Sequence, residues 1–267
     1  MKTPFFSIIC PIFNSGKFVD KTIHSVLAQT LQDFELILID DGSQDNTCAV
    51  IENIIHENRS VQIRLLKGLH KGPGAARNKG IKAAEGEWIS FLDSDDIWEP
   101  NKLQMVFDVI DSNKEVNFIC HTEEHVHLDG TKNILNYGAW YDDKISLSRQ
   151  LYLRNLFSTS AVVCKKTLLL EFGLFDEYLM STQDYELWLR LSPQIKVNFI
   201  SEKLGYYYDR GGNISSQKQL MRVINTLKIL FRYRNLVSRY LYYKQSLKIT
   251  VYFLLRALKK SIQRGKK

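Results

Sequence analysis

Residues 87–96 read EWISFLDSDD, an apolar segment that ends abruptly in three carboxylates. Glu87 to Leu92 is rich in aromatic and β-branched side chains and is short enough to be a buried strand. Carboxylates this close together repel one another and are costly at the end of a buried strand unless a partner compensates their charge. A divalent cation with oxygen ligands is such a partner, and Mg²⁺ or Mn²⁺ commonly carries phosphate oxygens as well. The segment therefore predicts a metal site that includes Asp93 and Asp95.

Asp96 has a second interpretation, in which its side chain caps the next helix and Pro100 lies in the first turn of that helix. In that interpretation Asp93 and Asp95 simply face water, and their spacing has no explanation. The metal interpretation is favoured because it accounts for both residues.

The first hundred residues alternate between strand-like and helix-like segments. This alternation predicts an α/β fold with a mostly parallel, Rossmann-like sheet and helices on both faces. Polar clusters at Asn14, Asp40-Asp41 and Asp93–Asp95 follow three of the strands, and in open α/β sheets ligands bind at that edge. The predicted strands are 5–10, 34–39, 61–66 and 87–92, and the predicted helices are about 17–30, 45–57 and 72–84.

Beyond Asp111 the pattern is less regular. Strands are predicted at 116–120 and 159–164, with a loop at 128–147. A helix capped by Ser181 or Thr182 would carry Asp184 in its first turn. From about residue 216 the chain is predicted to be helical, with an interruption near residues 240–245.

Charge is distributed unevenly along the 267 residues, although the net charge is only +7. Residues 210–267 contain 15 Lys or Arg and no acidic residue, which leaves 21 basic and 29 acidic residues in the body. The four scattered cysteines predict a reducing, cytoplasmic compartment. We expect neither a signal peptide nor a transmembrane span, because no apolar stretch approaches ~20 residues.

The basic tail predicts a peripheral association with the inner face of a cell membrane. An apolar stripe flanked by cations suits an anionic bilayer surface, where each nearby Lys or Arg contributes ~1 kcal/mol. The alternative is a helix packed on the core with solvated lysines. Nucleic acid is not expected as a partner because no recognition fold accompanies the charge. The stripe consists of Val251, Leu254, Leu255, Leu258 and Ile262, flanked by Lys248, Arg256, Lys259 and Lys260.

Over roughly residues 5–215 the chain resembles the family-2 glycosyltransferases of the GT-A fold. Each motif alone is weak, but their occurrence in the family's order is specific. The sequence departs from the family at Gln183, where Glu is commoner. The motifs are SIICPIFN (7–14), FELILIDDGS (34–43), GPGAARN (72–78), DSD (93–95) and GLFDE (173–177), followed by Gln183-Asp184.

The resemblance implies roles for single residues. Asp95 would coordinate Mn²⁺ or Mg²⁺, with Asp93 beside it near the ribose or the metal-bound diphosphate. Asp41 would accept from the uracil imide N–H, although a turn before Gly42 also explains it. Asp184 would be the base that takes the acceptor's proton, and its alternative is an exposed acid favoured by the helix dipole. The nucleotide-sugar would be bound by Pro11, Asn14, Asp41, Arg77, Asp93 and Ser94.

The implied function is inverting, metal-dependent transfer of a hexose or N-acetylhexosamine from a UDP-sugar. The acceptor would be a hydroxyl of a lipid-diphosphate-linked saccharide in bacterial cell-surface polysaccharide biosynthesis, such as that of lipopolysaccharide. Two alternatives stay open: a sugar nucleotidyltransferase, which needs no base at Asp184, and a non-catalytic membrane-tethering module.

The predicted domain organisation follows the resemblance and the change in charge. A catalytic domain is expected at residues 1–215 and a basic helical extension at residues 216–267. Within the catalytic domain, residues 1–115 would bind the nucleotide and residues 116–215 would form the acceptor side.

A histidine-rich segment, HTEEHVH at residues 121–127, invites a zinc interpretation. The spacing of His121 and His125 lacks a matching third protein ligand, and a polar strand or loop explains the segment equally well. The sequence therefore does not predict a zinc site here.

Overall fold

The computed structural model describes residues 3–179, 181–210 and 219–264, without the side chains of residues 219, 254 and 256–264. The strands are β1 (Phe6–Ile12), β2 (Phe34–Asp40), β3 (Ile63–Lys67), β4 (Trp88–Phe91), β5 (Ile97–Trp98), β6 (Phe118–Val126), β7 (Lys132–Leu135), β8 (Val162–Lys165) and β9 (Val197–Tyr208). The helices are α1 (Val19–Leu27), α2 (Thr47–Glu57), α3 (Pro73–Ala83), α4 (Lys102–Ser112), α5 (Leu147–Leu153), α6 (Lys166–Phe172), α7 (Gln183–Leu191), α8 (Gln219–Arg232) and α9 (Arg239–Arg264).

The described strands form one sheet in the order β3-β2-β1-β4-β8-β6-β9-β5, with β7 beside β6. The α/β fold with flanking helices is confirmed. The sheet is mixed, however, since β8 pairs antiparallel with β4 and β6, and β5 and β7 are also antiparallel to their neighbours. A short turn joins β6 to β7, and a connection that short allows only antiparallel pairing.

Helices cover both faces of the sheet because the central parallel strands are apolar on both sides. On one face Ile8 packs in a cluster with apolar residues of α1, α2 and α4. On the other face its neighbour Ile9 packs with apolar residues of α3 and α5 to α8. Both isoleucines are fully buried, and such burial stabilises the fold by about 1.5–3 kcal/mol per side chain.

The loop prediction for residues 128–147 is only partly right. The segment contains β7 and a one-turn 3-10 helix, Gly138–Trp140. The loop prediction failed because three of the four β7 residues are exposed, so the strand lacks the alternation of a half-buried strand.

The C-terminal helices pack on the core through particular residues. Ile229 and Leu230 are buried, and the Tyr152 hydroxyl donates to Leu230 O at 2.8 Å. The helical interruption lies at a 3-10 turn, Arg234–Leu236, and not near 240–245. Ser238 explains this position, because its Oγ accepts from Leu241 N at the start of α9.

The start of the extension, predicted at about residue 216, lies outside the described residues, and the domain boundaries remain predictions. Among the residues that the structure describes, no helix is long and apolar enough to cross a bilayer.

Candidate active site

The predicted nucleotide-binding residues lie at one edge of the sheet. Pro11 is buried in β1, Asp41 directly follows β2, and Asp93 follows β4. These strands are parallel neighbours, with Ile12 opposite Asp40 and Ile9 opposite Phe91. Their carboxyl ends therefore meet, as the sequence predicted.

The loop after β1 is tied to the loop after β2. Asn14 has a left-handed backbone (φ 48°), which asparagine tolerates better than most residues. Its N–H donates to Ser43 Oγ at 2.9 Å, and its Oδ1 accepts from Gln44 N at 2.8 Å. The Asn14 side chain thus shapes this edge, and any contact with a nucleobase remains a prediction.

Asp41 anchors the glycine-rich segment. Its two carboxylate oxygens accept from the backbone N–H groups of Lys71 and Gly72 at 2.9 and 2.8 Å, and His70 Nδ1 lies 2.9 Å from Oδ2. Gly72 has a φ of 92°, a conformation in which a side chain is strained. This anchoring role was missed from the sequence, and the uracil contact stays a prediction.

Arg77 and Asp93 form an ion pair, with 2.5 Å between Nη2 and Oδ1. The Arg77 side chain is 6% exposed and that of Asp93 is 35% exposed, so the pair opens to solvent on the aspartate side. The half-buried Ser94 fixes the turn between the two aspartates. Its hydroxyl lies 2.7 Å from Ser15 Oγ, and its carbonyl accepts from Thr22 Oγ1 at 3.0 Å.

Asp95 is half-buried beside these groups. Burial, and next the Asp93 carboxylate, raise the pKa of Asp95 to about 6, while the Arg210 guanidinium acts in the opposite direction. A carboxylate held this way is short of compensating positive charge. Asp93 and Asp95 therefore supply the oxygen donors and the negative charge that a divalent cation requires.

The alternative interpretation of Asp96 as a helix cap is wrong. Asp96 precedes β5, and α4 begins only at Lys102. The Asp96 carboxylate is 2% exposed and accepts from Ser160 Oγ at 2.6 Å and from Tyr208 N at 3.3 Å. Ser160 Oγ also accepts from Asp93 N at 3.0 Å, so one buried hydroxyl braces both ends of the 93–96 segment. No sequence motif marks Ser160.

Asp184 lies in the first turn of α7 and is half-buried. Thr182, predicted with Ser181 as a cap, precedes the helix with a left-handed backbone (φ 61°) and makes no side-chain capping bond. Burial raises the pKa of Asp184; the Asp93 carboxylate also raises it, and the Arg77 guanidinium lowers it. Asp184 therefore interacts electrostatically with Arg77 and Asp93, although the three residues come from widely separated regions of the chain.

Arg210 lies at the start of the basic tail, and no sequence motif marks it as a site residue. Its Nη2 donates to Asp95 O at 3.2 Å, and its guanidinium lies over the rings of Phe18 and Tyr208. The Arg210 Nε is buried and has no hydrogen-bond partner among the described residues. A second guanidinium with free donor capacity thus faces the carboxylate edge.

A cleft of about 590 Å³ opens between the glycine-rich segment and the 175–178 segment. Trp140 and Tyr141 pack against the core cluster, with Arg154 over the Trp140 ring and Phe199 beside the Tyr141 ring. The residues that line the cleft are Lys71, Phe175, Asp176, Glu177 and Tyr178.

The family model of glycosyl transferase family 2 matches residues 7–179, more than half of the chain. The chain belongs to glycosyl transferase family 2. The resemblance seen in the sequence is confirmed, and the chain carries the domain that defines this family of glycosyltransferases. The nucleotidyltransferase and tethering-module alternatives have no support from this family.

Two relatives illustrate the range of this glycosyltransferase family. An uncharacterized glycosyltransferase of Haemophilus influenzae is 31% identical over 253 residues, which cover 91% of this chain and 94% of that protein. One of Rickettsia conorii is 30% identical over 197 residues, covering 72% of this chain. The chain spans only about a third of the length of that second relative, 32%.

Solved structures show the same fold. Residues 1–349 of Staphylococcus aureus TarS, in complex with UDP-GlcNAc, align with a TM-score of 0.69 and 23% identity, covering 84% of this chain and 64% of that one. A Pyrobaculum calidifontis mannosyltransferase, in complex with GDP-Man and Mn²⁺, aligns with a TM-score of 0.66 and 13% identity, covering 94% and 70%. These likenesses confirm the GT-A fold of this chain.

Proposed function

We propose that this glycosyltransferase transfers a hexose or N-acetylhexosamine from a UDP-sugar to an acceptor hydroxyl with inversion, in a metal-dependent reaction. The observation that carries the proposal is the grouping of Asp184, Arg77 and the Asp93–Asp95 segment at one sheet edge. A base, a cation and a metal-binding pair of carboxylates are the groups that such a transfer requires.

The proposed metal ligands are Asp95 and Asp93. Their oxygen donors fit Mn²⁺ or Mg²⁺, and the raised pKa of Asp95 reflects a carboxylate that lacks compensating positive charge. When bound, such an ion stabilises the negative charge that gathers on a diphosphate leaving group. The Mn²⁺ complex of the mannosyltransferase supports the choice of a divalent ion.

The proposed donor site uses Pro11, Asn14 and Asp41 toward the nucleobase, as the family's motifs imply. TarS in complex with UDP-GlcNAc supports a uridine nucleotide. Arg77 and Arg210 border the 93–95 segment, and guanidinium groups suit phosphate oxygens through paired hydrogen bonds. The Ser94 hydroxyl lies in the same turn.

Asp184 is the proposed base. In a single displacement its carboxylate accepts the proton of the acceptor hydroxyl, the hydroxyl oxygen bonds to the anomeric carbon, and the bond from that carbon to the diphosphate breaks. A positioned base contributes about 10²–10⁴-fold to the rate. One displacement inverts the anomeric centre, so an α-linked donor yields a β-glycoside.

The proposed acceptor is a lipid-linked saccharide, approached from the inner face of the bacterial membrane during cell-surface polysaccharide biosynthesis. One face of α9 supports membrane contact, since it exposes apolar side chains at helical spacing beside Lys244 and Lys248. Of the stripe expected from the sequence, Val251 and Leu255 are exposed, and the side chains of Leu254, Leu258 and Ile262 lie outside those that the structure describes. The exposed residues are Tyr240, Tyr243, Leu247, Val251 and Leu255.

The test is a screen of UDP-sugars with Mn²⁺ or Mg²⁺ and a short lipid-diphosphate-sugar acceptor, followed by NMR of the product. We expect transfer from at least one UDP-hexose or UDP-N-acetylhexosamine, loss of transfer in chelator, and a β-linked product from an α-linked donor. A product with retained configuration would exclude the inverting mechanism. Full activity in chelator would exclude the metal.

A further inference from the structure

A second group of side chains that could bind a metal ion, none of them from the Asp93–Asp95 segment, lies where β6 and β9 end side by side. His125 and His127 belong to β6 and its end, and Asp209 follows β9. Nε2 of His125 lies 3.1 Å from Asp209 Oδ1, and Nδ1 of His127 lies 3.1 Å from Asp209 Oδ2. The parallel pairing of Val126 with Tyr208 brings these side chains together across 82 residues of chain. Asp209 supplies the third candidate ligand, which the sequence spacing did not reveal.

The donor set is typical of a transition-metal site. One ligand atom from each residue lies within 4.8 Å of the others. Bonds of about 2.0–2.2 Å to Zn²⁺ require ligand atoms about 3.5 Å apart, so a small inward movement completes the coordination. The two imidazole nitrogens favour Zn²⁺ over Mg²⁺ or Ca²⁺, which prefer ligand sets made of oxygen alone.

The hydrogen-bonding of the two histidines favours metal coordination. His127 Nε2 lies 2.5 Å from Asn133 Oδ1, so in a metal complex Nε2 would keep its proton for this contact and Nδ1, which faces Asp209, would be the ligand atom. His125 Nε2 is buried and, despite its closeness to Asp209, makes no hydrogen bond of acceptable geometry among the described residues. An ion pair alone leaves this nitrogen unsatisfied, whereas coordination satisfies it.

The three side chains are 17%, 36% and 37% exposed for His125, His127 and Asp209. An ion can therefore enter from solvent, and a water molecule can complete four-coordination.

We propose that His125 Nε2, His127 Nδ1 and the Asp209 carboxylate bind one Zn²⁺ ion, with water as the fourth ligand. The site contains neither of the two aspartates proposed for the transfer reaction. An ion bound to Asp209 fixes the chain at the end of β9. Arg210 directly follows Asp209 and donates to Asp95 O. Bound zinc thus holds the Arg210 guanidinium in place at the edge where the donor is proposed to bind.

The test uses the full chain without an affinity tag, freed of metal with chelator and titrated with Co²⁺ and then Zn²⁺. An Asp95→Asn background removes the oxygen-ligand site, so that the Co²⁺ absorption reports on the histidine site alone. We expect one equivalent with four-coordinate Co²⁺ absorption, displaced by Zn²⁺. The imidazole NMR signals of two of the six histidines should shift on binding.

Ligand variants sharpen this experiment. His127→Ala and Asp209→Asn should each weaken Zn²⁺ binding by at least about 100-fold, and Asn133→Ala by about 10-fold through loss of its support. His56→Ala, an exposed histidine on α2, is the matched control and should bind as the parent does. Circular dichroism of each variant shows whether it is folded. Asp209→Asn keeps the shape of the side chain and removes only its charge, so it is the variant least expected to disturb folding. Equal Zn²⁺ affinity in the parent and in His127→Ala, or unshifted His125 and His127 signals, would overturn the proposal and leave only ion pairs.

Discussion

Asn78 and Phe175 exchange two hydrogen bonds across 97 residues of chain. Asn78 Nδ2 donates to Phe175 O at 2.9 Å, and Phe175 N donates to Asn78 Oδ1 at 2.9 Å. The same amide donates to Glu177 Oε1 at 2.8 Å. Because Asn78 follows Arg77, and the Arg77 guanidinium lies 5.4 Å from the centre of the Phe175 ring, this exchange positions Arg77 relative to the segment that leads into α7.

Asn78→Ala should therefore lower both stability and transfer. The substitution leaves the buried Phe175 N–H and C=O without partners, which costs about 2–3 kcal/mol. Urea unfolding measures the loss, and the transfer rate of the folded variant shows the displacement of Arg77. Asn53→Ala, on the exposed side of α2, is the control and should stay within about 0.5 kcal/mol of wild type. An Asn78 variant as stable as this control would contradict the positioning role.

Asp184→Asn should reduce the turnover number by about 10²–10⁴-fold with unchanged donor affinity. The amide keeps the shape of the side chain but cannot accept the acceptor's proton. In the wild type, turnover should fall as the pH is lowered through the pKa of Asp184, which burial raises above the ordinary aspartate range. Initial rates at saturating donor across the acidic and neutral range measure both effects.

The matched control is Asp143→Asn, an exposed aspartate in the loop before α5. It should leave the turnover number and its pH dependence unchanged. If Asp184→Asn retains more than about a tenth of the wild-type rate, another group takes the proton.

The sequence predicted the elements that rest on local pattern, and it missed those that rest on long-range contacts. The apolar strands β1, β2 and β4 and the polar residues at their ends follow from periodicity and alternation. Nothing local could reveal that Asp96 is held by Ser160, because the two are 64 residues apart and meet only when β8 pairs with β4. Asp209 was missed as a partner of His125 for the same reason.

Helix ends were also poorly predicted where tertiary contacts replace a cap. Thr182 has the right residue type for an N-cap, but its hydroxyl donates to Ser181 O instead. Helix α4 begins only after β5, a two-residue strand. Nothing in the local sequence signals the pairing of β5 with β9.

Stability without metal should depend on pH through Asp95. Its pKa is about 6 in the folded chain, above the ordinary value of 3.8. The stabilising contribution of its proton is therefore fully present below about pH 3.8 and is lost as the pH rises through about 6. The loss is on the order of 3 kcal/mol. Urea unfolding in chelator measures it, and Mn²⁺ should restore stability above that pH, where the carboxylate is ionised.

The comparison with Asp95→Asn isolates this contribution, because other buried acids such as Asp96 also have raised pKa values. The asparagine variant should lose less stability between acidic and neutral pH in chelator, and it should gain little from Mn²⁺. A variant whose pH dependence and Mn²⁺ response both match the wild type would show that Asp95 neither carries the proton nor binds the ion.

Membrane contact through α9 should be separable from folding by point substitutions. Deletion from residue 216 is a poor test because it removes Ile229 and Leu230 from the core. Leu247→Ser with Leu255→Ser changes only exposed positions, so unfolding should stay within about 0.5 kcal/mol of wild type. Each lost leucine removes about 1.5–3 kcal/mol of burial in the bilayer, so binding to anionic phospholipid vesicles should fall by more than about tenfold.

Leu128→Ser is the control for this membrane test, since Leu128 is 72% exposed but lies in the turn between β6 and β7. It should bind vesicles as the wild type does.

Vesicles of neutral lipid should bind all variants weakly, because Lys244 and Lys248 then have no anionic headgroups to contact. Sedimentation with the vesicles measures each case. Equal binding of the α9 double variant and the Leu128 control would show that α9 does not contact the membrane, and the apolar residues on it would then need another partner.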